Sequence, residues 1–130
     1  MGDLVSTAEF VQAMGQHVAS VCVITTQMGG ERFGLTATAV SSICAEPPRL
    51  LVCVNKSGLT HHKIVAAGHF GVNVLGDDQE KVGKAFAGMM GRDFDRFSIG
   101  QWRAGDGGTP LLEGAAATFD CRVAESLNQF

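Results

Sequence analysis

The feature that most restricts the fold lies between Ala19 and Asn55, where three β-forming runs follow one another with only short interruptions. ASVCVITT (19–26) is β-branched and apolar, Phe33 to Cys44 alternates with a period of two, and Arg49 to Asn55 carries the core LLVCV. Gly29-Gly30 supplies the backbone freedom of a tight turn, so the first two runs read as a hairpin or as two adjacent strands. Proline donates no ladder hydrogen bond, so Pro47-Pro48 ends the second run. The third is apolar on both faces, which predicts a central strand.

Helices flank this β-rich core. Ser6-Thr7-Ala8-Glu9 has the spacing of a capping box, and Phe10, Val11, Met14 and Val18 then recur at helical intervals, predicting about three turns. Leu59 to Ala67 reads as a short helix stopped by Gly68, and His69 to Leu75 as a strand. Asp77-Asp78-Gln79-Glu80 opens another helix with acids in its first turn and Val82, Ala85 and Phe86 as its buried stripe. Gly88 to Gly108 predicts an irregular, partly helical connection, and Ala116 to Ser126 a further strand. Strands outnumber helices and no long strand-helix-strand rhythm dominates. A single α+β, mainly β domain over residues 1–130 is expected, built on an antiparallel barrel with short peripheral helices.

Charge and composition exclude several function classes. The net charge is −3 and the ten Lys and Arg residues are scattered, which leaves no electrostatic footprint for a nucleic acid or an anionic membrane. No apolar run approaches the roughly 20 residues that span a bilayer, and MGDLVSTAEF lacks a secretory leader's basic start, so a cytoplasmic protein is expected. Cys22, Cys44, Cys53 and Cys121 each sit in apolar, strand-like runs without a C-x-x-C pair and read as buried free thiols. His61 and His62 are consecutive on a helix and point apart, with no carboxylate placed to complete a metal site. Neither Gly-x-Ser-x-Gly nor Gly-x-Gly-x-x-Gly occurs, so a hydrolase elbow and a Rossmann site both lack support.

Two stretches carry candidate chemistry. In the run from Phe33, the odd positions Phe33, Leu35, Ala37, Ala39 and Ile43 form an apolar face while Thr36, Thr38 and Ser42 face the other way. Small hydroxyls beside Ala and Gly leave room for a planar heterocycle on the backbone; an exposed β-surface of threonines would show the same pattern. Asn55-Lys56-Ser57-Gly58 places a cation, a hydroxyl and free backbone N–H groups at a helix start, which suits a phosphate or an ordinary capped helix. Arg92 and Arg96 in GRDFDRF suit a phosphate or ion pairs with Asp93 and Asp95.

In chain order, ITT near Ile24, GLTATAVSSICAEPPRLLVCVNKSG, the helix with His61, FGVNVLG from Phe70, KAFAG from Lys84, RF at Arg96-Phe97 and FDCRV from Phe119 resemble the flavin reductase-like family of FMN-binding split barrels. These are the reductase components of two-component flavin-dependent monooxygenases. The resemblance implies a split β-barrel that binds FMN or FAD and reduces it with NADH or NADPH. It places Thr36, Ala37, Thr38 and Ala39 along the isoalloxazine, Ser41 or Ser42 near its polar edge, and Asn55, Lys56 and Ser57 on the flavin phosphate. The same resemblance puts Phe86 and Ala87 at the border of that site. It also implies a homodimer that hands reduced flavin to a monooxygenase. In the family, FDCRV is followed by a Gly-x-His segment and further strands on the nicotinamide side, so a chain ending at Phe130 is expected to be shortened there. A non-catalytic flavin-binding module is accordingly the alternative to the reductase.

Overall fold

A computed structural model describes residues 2–128 of the chain. Helix α1 (Thr7–Met14) is followed by β1 (Cys22–Met28), β2 (Glu31–Ala37), β3 (Val40–Cys44) and β4 (Arg49–Val52). Next come α2 (Leu59–Ala67), β5 (His69–Val74), α3 (Glu80–Phe86) and a 3-10 turn at Arg96–Ser98. The strands β6 (Trp102–Ala104), β7 (Pro110–Leu112) and β8 (Ala117–Arg122) complete the order. All pairings are antiparallel: one four-stranded sheet in the order β2-β1-β5-β8, and the two ribbons β3-β4 and β6-β7. The antiparallel architecture expected from the sequence is therefore present.

The β1-β2 hairpin closes at Gly29-Gly30, whose φ values of 62° and 84° suit the two left-handed positions of a type I′ turn. Strands β1 and β5 occupy the middle of the sheet, and Cys22 through Thr26 are buried on both faces. On one face Val23 meets Val82, Ala85, Phe86 and Leu112; on the other, Cys22 and Ile24 meet Val72 and Ile64 of α2. The hydroxyls within this core are matched rather than stranded. Thr25 Oγ1 donates to Pro110 O at 2.6 Å, and Thr26 Oγ1 donates to His69 O at 2.7 Å. Asn73 donates to Val23 O at 2.9 Å and accepts from Leu112 N at 2.8 Å, tying the β6-β7 ribbon to the sheet through side chains.

Several sequence expectations are corrected. The run Phe33–Cys44 is not one strand: it breaks at Thr38-Ala39, where Val40 N–H donates to Thr38 O, and its two halves enter different sheets. LLVCV is not central. Among the described residues strand β4 pairs with β3 alone; Leu50, Val52 and Val54 pack inward while Leu51 and Cys53 face out. Ile43, at the bulge in β3, is 61% exposed instead of joining an apolar face. Helix α1 has two turns rather than three and none of its residues is buried, although Ser6 Oγ accepts from Glu9 N at 3.1 Å as the capping pattern predicts. Helix α3 starts at Glu80, after the acidic pair. The four cysteines are free, but only Cys22 is buried; Cys44 and Cys121 are half-buried and Cys53 is exposed. Strands β6 and β7 were not anticipated, β6 lying inside the stretch expected to be irregular and partly helical, because three residues are too few to show a period and side chains hold β7 in place.

Candidate functional site

The hydroxyl-bearing end of β2 lies against α3. Thr36 Oγ1 donates to Gly83 O at 2.7 Å, which fixes the strand to the helix and matches the one hydroxyl on that face that is half-buried. Two residues earlier, Gly34 lets the Phe86 ring rest on the strand, since a Cβ at Gly34 would come within 2.6 Å of the ring. Phe86 is 1% exposed and packs edge-on against Phe97 at 4.9 Å and beside Trp102 at 5.3 Å. It backs the candidate surface from inside the core, while Ala87, the next residue, is exposed. Among the described residues Arg96 pairs with neither Asp93 nor Asp95: its Nη1 donates to Gly34 O at 2.9 Å and Phe86 O at 3.0 Å. Arg92 is exposed.

Beyond Thr36 the candidate residues come to the surface. Thr38, Ala39, Ser41 and Ser42 are all exposed, and Ala37 is half-buried against the α2-side core. The strand break makes this possible, because it ends the ladder with β1 at Cys22↔Ala37 and frees the following residues. Ser41 and Ser42 do not form one hydroxyl face with Thr36 and Thr38, since they belong to a different sheet. Cys53 N–H donates to Ala39 O at 3.0 Å, so the loop that begins at Asn55 starts two residues from the Thr38-Ala39 surface.

That loop has a built geometry. Asn55 Oδ1 accepts from Ser57 N at 2.9 Å and from Ser57 Oγ at 2.8 Å, a side-chain-closed turn that presents the start of α2. Gly58 is the N-cap and contributes no side-chain acceptor, so the first N–H groups of α2 have no capping side chain. Lys56 is exposed beside them. Uncapped N–H groups with an ammonium at the same turn suit an anionic ligand. The structure thus brings the Thr38-Ala39 segment close to the strand end that leads into Asn55 to Ser57, places Ser41 and Ser42 opposite Leu51 and Leu50 in the β3-β4 ribbon, and keeps Phe86 in the core beside Gly34.

A cavity of about 550 Å³ opens beside this region between the start of β1 and α3, lined by Ser20, Val21, Leu75, Gly76, Gly83 and Met89 among others. It shares Gly83 with the Thr36 hydrogen bond, and Leu75, Gly76 and Lys84 in its wall belong to the FGVNVLG and KAFAG stretches, but it contains none of the candidate ring- or phosphate-contacting residues. Lys84 and Glu80, 3.1 Å apart, form an exposed pair at its rim.

Neither Cys22 nor Cys121 is activated for nucleophilic work. Burial pushes the Cys22 thiol up, and burial with the neighbouring Asp120 charge pushes Cys121 up to about 11. His61 and His62 stack edge-on at 5.1 Å rather than pointing apart, and His69 Nδ1 lies 2.6 Å from the buried Thr109 hydroxyl. Among the described residues no group of three or more His, Cys, Asp or Glu could hold a metal ion, and no helix is long and apolar enough to cross a membrane. The arrangement offers an exposed small-residue segment at Thr38-Ala39 and a side-chain-closed turn with uncapped N–H groups and an exposed ammonium.

Comparison with known proteins gives a consistent picture. The profile of the family described as "Flavin reductase like domain" matches residues 14–129. The chain is 40% identical over 124 residues to the FMN reductase (NADH) RutF of Pseudomonas syringae pv. syringae, covering 95% of this chain and 69% of that protein. The NADH:FAD oxidoreductase SgcE6 of Streptomyces globisporus C-1027, solved in complex with NAD and FAD fragments, superposes with a TM-score of 0.84 at 31% identity, over 99% of this chain and 78% of that one. BorF, the flavin reductase component of a bacterial two-component tryptophan halogenase, superposes at 0.80 with 26% identity, over 94% and 78% of the two chains.

Proposed function

The chain belongs to the flavin reductase-like domain family and has its split-barrel fold, and from that membership we propose that it is an NAD(P)H-dependent reductase of FMN or FAD. The observation that carries the proposal is the joining of the exposed Thr38-Ala39 surface to the Asn55–Ser57 turn through the Cys53–Ala39 hydrogen bond. Those residues fit a flavin: small side chains leave the backbone open to a planar ring, and the uncapped start of α2 with Lys56 meets its phosphate.

The two cofactors supply the chemistry, a hydride passing from reduced nicotinamide to flavin N5. The protein's part is to bind and orient. Thr36 to Ala39 support the ring, with Thr36 locked by its bond to Gly83 O. Ser41 or Ser42 offers a hydroxyl at the polar edge, and backbone N–H groups there favour the negative charge that develops on reduction. Ala87 borders the ring, and Phe86 holds Ala87 in place from the core. No residue of this set has to transfer a proton, in keeping with the absence of a catalytic triad.

We further propose one domain over residues 1–130, of which 1, 129 and 130 lie outside the described residues, acting in the cytoplasm as a homodimer that supplies reduced flavin to a monooxygenase component. Support for the homodimer is the amount of apolar surface left exposed: Phe10, Val11 and Met14 on α1, and Ile43 and Leu51 on the β3-β4 ribbon. Among the described residues strand β8 pairs only with β5, which leaves its other edge able to take a further strand.

The test is NADH oxidation followed by absorbance as FMN is added. Oxidation that depends on flavin and saturates with it supports the reductase. Saturable FMN binding with no oxidation would favour the non-catalytic flavin-binding module.

A further inference from the structure

We infer that Arg96 is a positioning residue for the proposed flavin site: its guanidinium fixes the turn Phe86–Gly88 to β2 and so sets the distance between Ala87 and the Thr36–Ala39 surface. The inference rests on the flavin reading above and adds to it a residue outside the surface that would meet the ligand. Arg96 sits in the 3-10 turn, and one nitrogen, Nη1, donates both to Gly34 O at 2.9 Å and to Phe86 O at 3.0 Å. The first carbonyl belongs to the strand that carries Thr36; the second belongs to the residue immediately before Ala87. Strand β2 is the outer strand of its sheet, which leaves a carbonyl available to a side chain.

The second guanidinium nitrogen lies beside the same turn, since a Cβ at Gly88 would come 3.6 Å from Nη2. Gly88 has a φ of +83°, so the chain reverses there in a conformation that side-chain-bearing residues rarely adopt. Among the described residues Arg96 makes no ion pair. Its charge stands at the carboxyl end of α3, where the last carbonyls carry partial negative charge. A planar guanidinium reaches two carbonyls from one edge and holds the angle between them, which a flexible ammonium does less well.

A second brace acts one turn earlier. Thr36 Oγ1 bonds Gly83 O, so β2 is tied to α3 at Gly83 and again, through Arg96, at Phe86. Removing the Thr36 brace would perturb the proposed surface directly. Removing the Arg96 brace would free Gly34 O and the Ala87 side while leaving the Thr36–Gly83 bond in place, which makes the arginine separable from direct contact.

The experiment compares the wild-type chain with R96A and R96K by FMN fluorescence quenching and by steady-state NADH oxidation, with and without added guanidinium at concentrations that leave the wild type unchanged. The expected result is FMN binding weakened about tenfold in R96A, the scale of one lost charge-assisted hydrogen bond, with guanidinium restoring most of the loss. R96K, which also serves should R96A not fold, is expected to raise KM for FMN and leave kcat within about twofold. R96A binding FMN as the wild type does, no recovery with guanidinium, or R96K lowering kcat at unchanged KM would each overturn the assignment. A wild-type chain that quenches no FMN would instead overturn the flavin reading itself.

Discussion

Strands β1 and β4 start from similar sequence, VCVITT against LLVCV, and end in opposite surroundings. Strand β1 has a neighbour on each side and a core on each face, so even its threonines are buried and hydrogen-bonded. Strand β4 has one neighbour and one buried face, and alternates between half-buried and exposed. An apolar run thus reports affinity for a β-ladder, whereas the number of ladders is decided by the rest of the chain. The difference also divides labour: the β1-β5 centre holds the fold, and the end of the β3-β4 ribbon, with the adjoining Asn55 turn, carries the candidate site.

The sharpest way to break that division is Phe86→Ala. Phe86 is buried among Val23, Val82, Leu112, Phe97 and Trp102, so truncation should cost about 3–5 kcal/mol in denaturant unfolding. A loss under 1 kcal/mol would mean that this side of the sheet is not the core. Next is Asn73→Leu, of similar volume. It leaves Leu112 N–H and Val23 O without the partner that Asn73 supplies and is expected to cost about 2–3 kcal/mol, concentrated in the β6-β7 ribbon by hydrogen exchange.

On the ribbon side the expected sign is different. Lys56→Ala should weaken FMN binding by about 1–3 kcal/mol with an unchanged unfolding midpoint, because Lys56 is exposed and its role is proposed for the ligand alone. An unchanged dissociation constant would remove it from the phosphate site. The smallest effect concerns the thiols. Cys53, exposed at the end of β4, should alkylate in the native chain, while Cys22 in β1 should react only on unfolding. Cys121, raised from 9.0 to about 11 by burial and then by Asp120, keeps its proton in the folded chain across a window where the unfolded chain has released it. Stability from this group is therefore complete below pH 9 and falls as pH rises towards 11, which a urea titration at increasing pH would follow.

Much of the fold could be read ahead because short-range chemistry decided it. Ser6 capped α1, Gly29-Gly30 closed the hairpin with two positive φ values, and Gly68, with φ 78°, ended α2 at the expected residue. What escaped was decided at long range. Nothing in TATAV marks the break at Thr38-Ala39, which follows from β1 ceasing to pair beyond Cys22. Strand β7 is held by Thr25 and Asn73, residues 85 and 39 positions away from their partners in it. The candidate site divides in the same way. The burial of Phe86 was legible from its place in the apolar stripe with Val82 and Ala85, whereas the turn closed by Asn55 Oδ1 on Ser57 and the two-carbonyl grip of Arg96, which needs Gly34 bare beside the Phe86 ring, show no local pattern.

The most direct test is hydrogen exchange by mass spectrometry with and without FMN. The account predicts that FMN slows exchange in peptides covering residues 36–42 and 55–60 while β1 and β5, already protected, change little. Quenched FMN fluorescence with protection confined to other segments, such as the His69–Thr109 end of the sheet, would contradict it.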